Sequence, residues 1–180
     1  MFTYTINEST SLRLLQLRDA EAVFNLIDHN RSHLRTWLPW VDSTANITHT
    51  TAFIESTLNK FGNSDGFDAG IWYEGQLAGV IGLHYIDYNN RKTSIGYWLG
   101  ESFQGKGIIT EAAQALTNYA LETLNLNRVE IRCATENAKS EAIPKRIGFT
   151  KEGTIQQAER LYDRYVDHHI YAMIQEKRRL

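Results

Sequence analysis

The chain has 180 residues and a mass of 20.7 kDa, with 42% hydrophobic residues, 22% charged residues and 2 prolines. That balance supports a folded core and excludes a disordered chain. The 19 basic and 21 acidic residues leave a net charge of −2, without the basic excess of a duplex-DNA binder, so no direct nucleic-acid partner is expected. The single cysteine, Cys133, excludes an intramolecular disulfide and fits a reducing compartment. Residues 1–11 lack the basic and apolar regions of a signal peptide, and no run of 18 apolar residues occurs, so a cytoplasmic protein with no membrane span is expected.

No repeat, low-complexity run or linker interrupts the sequence, and one domain over residues 1–180 is expected. Residues 11–17 (SLRLLQL) read as a strand. Asp19 stands where it caps a helix whose apolar stripe is Ala22, Val23, Leu26 and Ile27. Residues 31–42 hold two tryptophans around Pro39 with charges on both flanks. Residues 48–61 form a second helical pattern that Gly62 ends. The period then changes to two. Residues 69–73 and 76–86 make a hairpin around Glu74-Gly75, and the second run is apolar on both alternating sets, which implies a sheet covered on both faces. Residues 92–99 add a third strand of this meander. Residues 108–124 form an amphipathic helix, 128–135 a β-branched strand and 138–147 a shorter helix. Residues 154–158 and 166–174 close the chain as two more strands. The pattern predicts an α/β (α+β) fold with a mixed, mostly antiparallel central sheet and helices on both faces.

The chemistry concentrates at Gln104-Gly105-Lys106-Gly107-Ile108-Ile109-Thr110, between a strand and a strong helix. Free N–H groups at a helix start, together with the positive end of its dipole, make an anion site. Glycines let backbone amides approach a phosphate without a Cβ in the way. The same glycines also suit a plain turn. The P-loop pattern from Gly100 to Lys106 fails because Gly107 stands where the Mg²⁺-binding hydroxyl belongs, and the dinucleotide pattern fails at Thr110. ATP and NAD are thereby runners-up.

The runs Ile95-Gly96-Tyr97-Trp98-Leu99 and Gln104-Gly105-Lys106-Gly107-Ile108, with Asn137-x-x-Ser140 and Gly148-Phe149 beyond them, resemble the GNAT acetyltransferases. The resemblance spans nearly the whole chain and is strongest to the RimJ/RimL group, which acetylates protein N-termini, including those of ribosomal proteins. The family's (R/Q)-x-x-G-x-(G/A) pattern is met at Gln104 and Gly107, while Ile109 replaces its small residue. The resemblance implies acetyl-CoA as the acetyl donor, with its pyrophosphate on amides from Gly105 through Thr110. It also implies that Trp98 and Leu99 end a strand splayed from its neighbour, leaving a gap for the pantetheine arm. Asn137, at a strand end, is expected to bond that arm, although an ordinary cap would look the same.

Many GNAT enzymes place a tyrosine acid four residues before the Gly-Phe pair. Here that position is Pro144, and the RimL-like substitute is Ser140, whose hydroxyl would hydrogen-bond the CoA sulfur; taken alone, Ser140 is equally a helix cap. Because proline is best tolerated in a first turn, Pro144 predicts a helix that starts late or is distorted. Glu159, in the RimL-like run Gln157-Ala158-Glu159, would serve as base through a water, or would simply pair with Arg160 or another surface cation. Trp37 and Trp40 either wall the acceptor site or pack the core. His168-His169 and the other histidines show no metal spacing, and no metal is expected. The expected reaction is direct transfer in a ternary complex to a protein N-terminal amine, with a homodimer as the form common among such relatives. The alternatives are acetylation of a small amine such as a polyamine or antibiotic, and a non-catalytic CoA-binding sensor.

Overall fold

In a computed structural model, residues 3–175 are described; the basic tail at 177–179 lies outside them. Five helices accompany the sheet among these residues: α1 (Ala20–His29), α2 (Arg31–Arg35), α3 (Ile47–Gly62), α4 (Ile108–Asn118) and α5 (Ala138–Arg146). The eight strands are β1 (Thr3–Thr5), β2 (Thr10–Leu14), β3 (Phe67–Tyr73), β4 (Gln76–Leu83), β5 (Lys92–Leu99), β6 (Arg128–Ala134), β7 (Thr150–Leu161) and β8 (Arg164–Ile174). They form one sheet in the order β1-β2-β3-β4-β5-β6-β8-β7, antiparallel throughout except for the β5–β6 pair.

Strand β4 shows why both faces are covered. After Gln76 every residue of it is buried, and neighbouring side chains point to opposite faces. Val80 packs with Val23 and Ile27 of α1 and Ile54 of α3. Ile81 packs on the other side with Ala112, Ala113 and Leu116 of α4.

The parallel β5–β6 pair requires a crossover, which α4 supplies. The two strands are paired only from Lys92–Arg128 to Ile95–Ile131. Beyond that point Gly96 to Leu99 stay bonded to β4 on one side alone, and the carboxyl ends of β5 and β6 part to open a wedge. The α4 helix widens into a π turn at Tyr119–Thr123 before reaching β6.

Several sequence expectations are corrected. The edge strand β1 was not anticipated from its three residues, and the 31–42 segment begins as a short helix. Strand β7 runs from Thr150 to Leu161 rather than over 154–158, because bulges at Lys151/Gly153 and Ile155/Glu159 break its alternation. Asp19 does stand at the N-cap of α1, but its carboxylate accepts from the Gln16 amide at 2.9 Å instead of from the first turn. Helix α5 does not start late. Asn137 caps it by accepting from the Ser140 amide at 3.1 Å, so Pro144 falls inside the helix.

Candidate active site

Between β5 and α4 the chain passes a 3₁₀ turn at Glu101–Phe103 and then the glycine loop. Gly105 and Gly107 both sit at φ +77°, and a Cβ at either would meet nothing within 4 Å. Their requirement is therefore conformational: a left-handed residue costs roughly 1–2 kcal/mol for any L side chain. Gly107 is the N-cap of α4, and no side chain caps the helix. With glycine at the cap position, the missing side-chain cap costs only about a few tenths of a kcal/mol. Burial of Ile108, Ile109 and Leu116, at roughly 1.5–3 kcal/mol per aliphatic side chain, outweighs that cost. The helix keeps its first-turn amides open to an anion because packing, rather than capping, holds it in place.

The wedge between β5 and β6 continues into a cleft of about 1920 Å³. Trp98, Leu99, Gln104, Gly105, Gly107, Ile108, Ile109, Thr110, Asn137, Ser140, Trp37, Trp40 and Glu159 all line it. Lys106 does not: its ammonium stands 4.9 Å from the centre of the Tyr73 ring and 5.8 Å from that of Phe103. Gln104 links two elements that line the cleft, its Nε2 3.1 Å from His33 Nε2 of α2 and its Oε1 accepting from Lys139 Nζ of α5 at 2.9 Å.

On the α5 side, Ser140 is the residue being capped and not the cap. Its hydroxyl lies 3.3 Å from Tyr97 Oη of β5, and the Cys133 thiol of β6 is close enough to both residues to influence, and be influenced by, their hydroxyls. Burial raises the pKa of Cys133 and pushes that of Tyr97 far above its ordinary value, so both groups are neutral. Asn137 has spent its side-chain oxygen on the cap, which leaves its NH₂ as the remaining donor.

On the opposite side, Glu159 follows the β7 bulge, and its Oε2 is 3.4 Å from His168 Nε2. No pairing with Arg160 is found among the described residues. Trp40 meets Trp98 edge-on at 5.9 Å and joins the α1–α3 core, whereas Trp37 packs with Ala134, Leu161 and Val166. Their segment is tied down by Arg31, which donates to the main-chain oxygens of Val41 and Thr44, and by Tyr162 Oη, which donates to that of Leu38 at 2.8 Å. His84 stands against Gly96, where a Cβ would come within 2.4 Å of the imidazole. It keeps solvent contact through the cleft, yet the protein around it lowers its pKa by desolvation. The sequence pattern gives no site role to Tyr97, Cys133, His84 or His168: Tyr97 stands only within the family run, Cys133 only as the single cysteine, and His168 only as a histidine without metal spacing. Tyr97, Cys133 and His168 come from β5, β6 and β8 and His84 directly follows β4, and only the sheet order brings them together.

Residues 10–150 match the acetyltransferase (GNAT) domain. The chain belongs to the GNAT acetyltransferase family. Within it, the chain is 44% identical over 154 residues to the "Putative ribosomal N-acetyltransferase YdaF" of Bacillus subtilis (strain 168), covering 85% of this chain and 84% of that one. It is 34% identical to the ribosomal-protein-serine acetyltransferase of Escherichia coli (strain K12), over 96% of both chains. Among solved structures, RimL, a ribosomal L7/L12 α-N-protein acetyltransferase in complex with coenzyme A, superposes with a TM-score of 0.93 at 29% identity, covering 96% of this chain and 98% of that one. This GNAT protein is an acetyl-CoA-dependent N-acetyltransferase with the family's fold. Its own residues fit that donor: an uncapped helix start for a pyrophosphate and a half-paired strand edge beside it for an extended amide-bearing arm.

Proposed function

We propose that this enzyme acetylates the α-amine of a protein N-terminus, with ribosomal proteins as the acceptor class, in the cytoplasm. One observation carries the reading: Ser140 and Glu159, from α5 and β7, line one continuous cleft with the uncapped start of α4. The names of the relatives support the acceptor, since the Escherichia coli protein acts on a ribosomal-protein serine and RimL on the α-amine of L7/L12.

Acetyl-CoA supplies an acetyl group activated as a thioester. Amides from Gly105 through Thr110, with Gln104 beside them, would hold its pyrophosphate. The main chain of Trp98 and Leu99, together with the Asn137 NH₂, would hold the pantetheine arm. The Ser140 hydroxyl then donates to the departing sulfur. RimL holds CoA in a disulfide with one of its cysteines; a sulfur near Ser140, beside Cys133 of this chain, agrees with that. Glu159, backed by His168, takes the proton of the incoming ammonium through a water. Trp37 and Trp40 wall the acceptor side.

Magnitudes favour an α-amine over a lysine side chain. An α-amine has a pKa of about 7.7–8.0 and a lysine about 10.4, and one unit is about 1.4 kcal/mol, so a lysine acceptor would cost roughly 3.5 kcal/mol more to deprotonate. A single carboxylate shared with a histidine is suited to the smaller demand. The test is steady-state release of CoA thiol with peptides beginning in Ser, Ala, Thr or Met, run against polyamines. We expect kcat/KM to be at least about tenfold higher for one of the peptides. Faster turnover of a polyamine would overturn the acceptor, and no turnover with any amine would leave only a CoA-binding sensor.

A further inference from the structure

Tyr97 stands on the β5 side of the wedge, across from α5. Its hydroxyl donates to the main-chain oxygen of Ser140 at 3.2 Å and lies 3.3 Å from the Ser140 hydroxyl. In an α-helix the carbonyl of residue 140 would accept from the N–H of residue 144. Residue 144 is proline, inside the helix, and proline has no N–H to give. Tyr97 provides the missing donor from another element of the fold.

The amide of Ser140 is held from outside the helical ladder as well, by Asn137 Oδ1 at 3.1 Å. Both peptide groups flanking the Ser140 Cα are thus fixed by side chains, one from the cap and one from β5. A residue pinned at its N–H and its C=O has little freedom to rotate, and its hydroxyl is presented to the cleft from a set position.

We propose that Tyr97 is a positioning residue for Ser140: by bonding the carbonyl that Pro144 leaves without a partner, it fixes the direction from which the Ser140 hydroxyl meets the departing sulfur. The inference rests on the proton-donor role proposed for Ser140. The surroundings suit it. With its single hydrogen donated to the carbonyl, the Tyr97 oxygen can offer only lone pairs to Ser140. Tyr97 and Cys133 are both kept protonated by burial, so neither presents an anion that would retain the Ser140 proton.

The experiment is a double-mutant cycle in the whole enzyme, because Pro144→Ala restores a main-chain N–H at the position facing the same carbonyl. Tyr97→Phe in the natural background is expected to lower kcat about tenfold while the KM for acetyl-CoA stays within about twofold, as for loss of an interaction used only in the transition state. In the Pro144→Ala background the same change is expected to cost less than about threefold, because the helix now satisfies its own carbonyl. An equal loss in both backgrounds, or no loss in the first, would overturn the inference. If Tyr97→Phe alone does not fold, recovery of folding and kcat in Tyr97→Phe/Pro144→Ala supports it, and failure to recover overturns it. Ser140→Ala, assayed in parallel, separates the two levels. Full activity there would remove the proton-donor role itself, whereas an inactive Ser140→Ala beside a fully active Tyr97→Phe removes only the positioning role.

Discussion

The two ends of the cleft are built in opposite ways. At the end proposed for the phosphates, the residues assigned to the site are seven consecutive ones, Gln104 to Thr110, and the proposed donors are backbone amides. At the end proposed for chemistry, Tyr97, Cys133, Ser140, Glu159 and His168 come from β5, β6, α5, β7 and β8, and the working atoms are side chains. The first depends on local conformation, so its integrity rests on two φ angles and the packing of one helix. The second depends on the sheet order, on a bulge in β7 and on a proline that leaves a carbonyl for a distant residue to satisfy. A binding end of this kind should fail by loss of affinity, and a chemical end by loss of rate.

Four substitutions sharpen or break this contrast. The largest expected effect is Gly107→Val. At φ +77° a β-branched residue is forced out of the left-handed turn, and acetyl-CoA affinity measured by calorimetry should fall by more than about 100-fold. With no atom within 4 Å of a Cβ at Gly107, the left-handed backbone is the main cost, about 1–2 kcal/mol, and the thermal midpoint should fall by roughly 2–8 °C while the fold is kept. Unchanged affinity would sever the phosphate end from the glycine loop.

Ser140→Ala should lower kcat on the order of 100-fold, the range of a lost acid–base group, with the affinity for acetyl-CoA nearly preserved. If affinity fell instead, the two ends would not be separable. Glu159→Gln should cost about tenfold in kcat near neutral pH, and the deficit should shrink as pH rises and more of the acceptor amine is already neutral. A deficit independent of pH would remove Glu159 from proton handling.

The smallest effect concerns His84. Desolvation holds its pKa below the ordinary 6.5, while Asp68 raises it and Lys60 lowers it further. A group with a lowered folded pKa binds fewer protons than it does unfolded, so its contribution is present above pH 6.5 and fades as pH falls below that value. In His84→Gln the rise of Tm with pH between about 5 and 7 should flatten relative to the parent enzyme. An unchanged slope would show that His84 titrates as it does in the unfolded chain.

Legibility followed the same division. The meander from β3 to β5, the amphipathic α4 and the glycine loop were readable because each is set by periodicity or by turn chemistry within a short window. Strand β1, with three exposed residues, carries no such pattern. Bulges concealed the extent of β7, since an inserted residue breaks the alternation by which a strand is read. Pro144 predicts a helix that starts late or is distorted, and the Asn137 cap, three residues ahead of Ser140, excludes the late start. The pairing of Glu159 with His168 instead of Arg160 required knowing that β7 and β8 are hairpin partners.

By itself the sequence determined that Gly105 and Gly107 stand at the start of a strong helix, where main-chain amides are the expected donors to a phosphate-bearing ligand at almost no net charge and a plain turn is the alternative. It also marked Ser140 and Glu159 as residues worth placing. Only the tertiary structure decided that β5 and β6 part after Ile95 and Ile131, and that Tyr97 bonds the carbonyl Pro144 leaves open. The physical reason is range. Backbone conformation is set by a residue and its near neighbours, whereas a hydrogen bond between residues 43 positions apart exists only once the sheet has brought its strands into order.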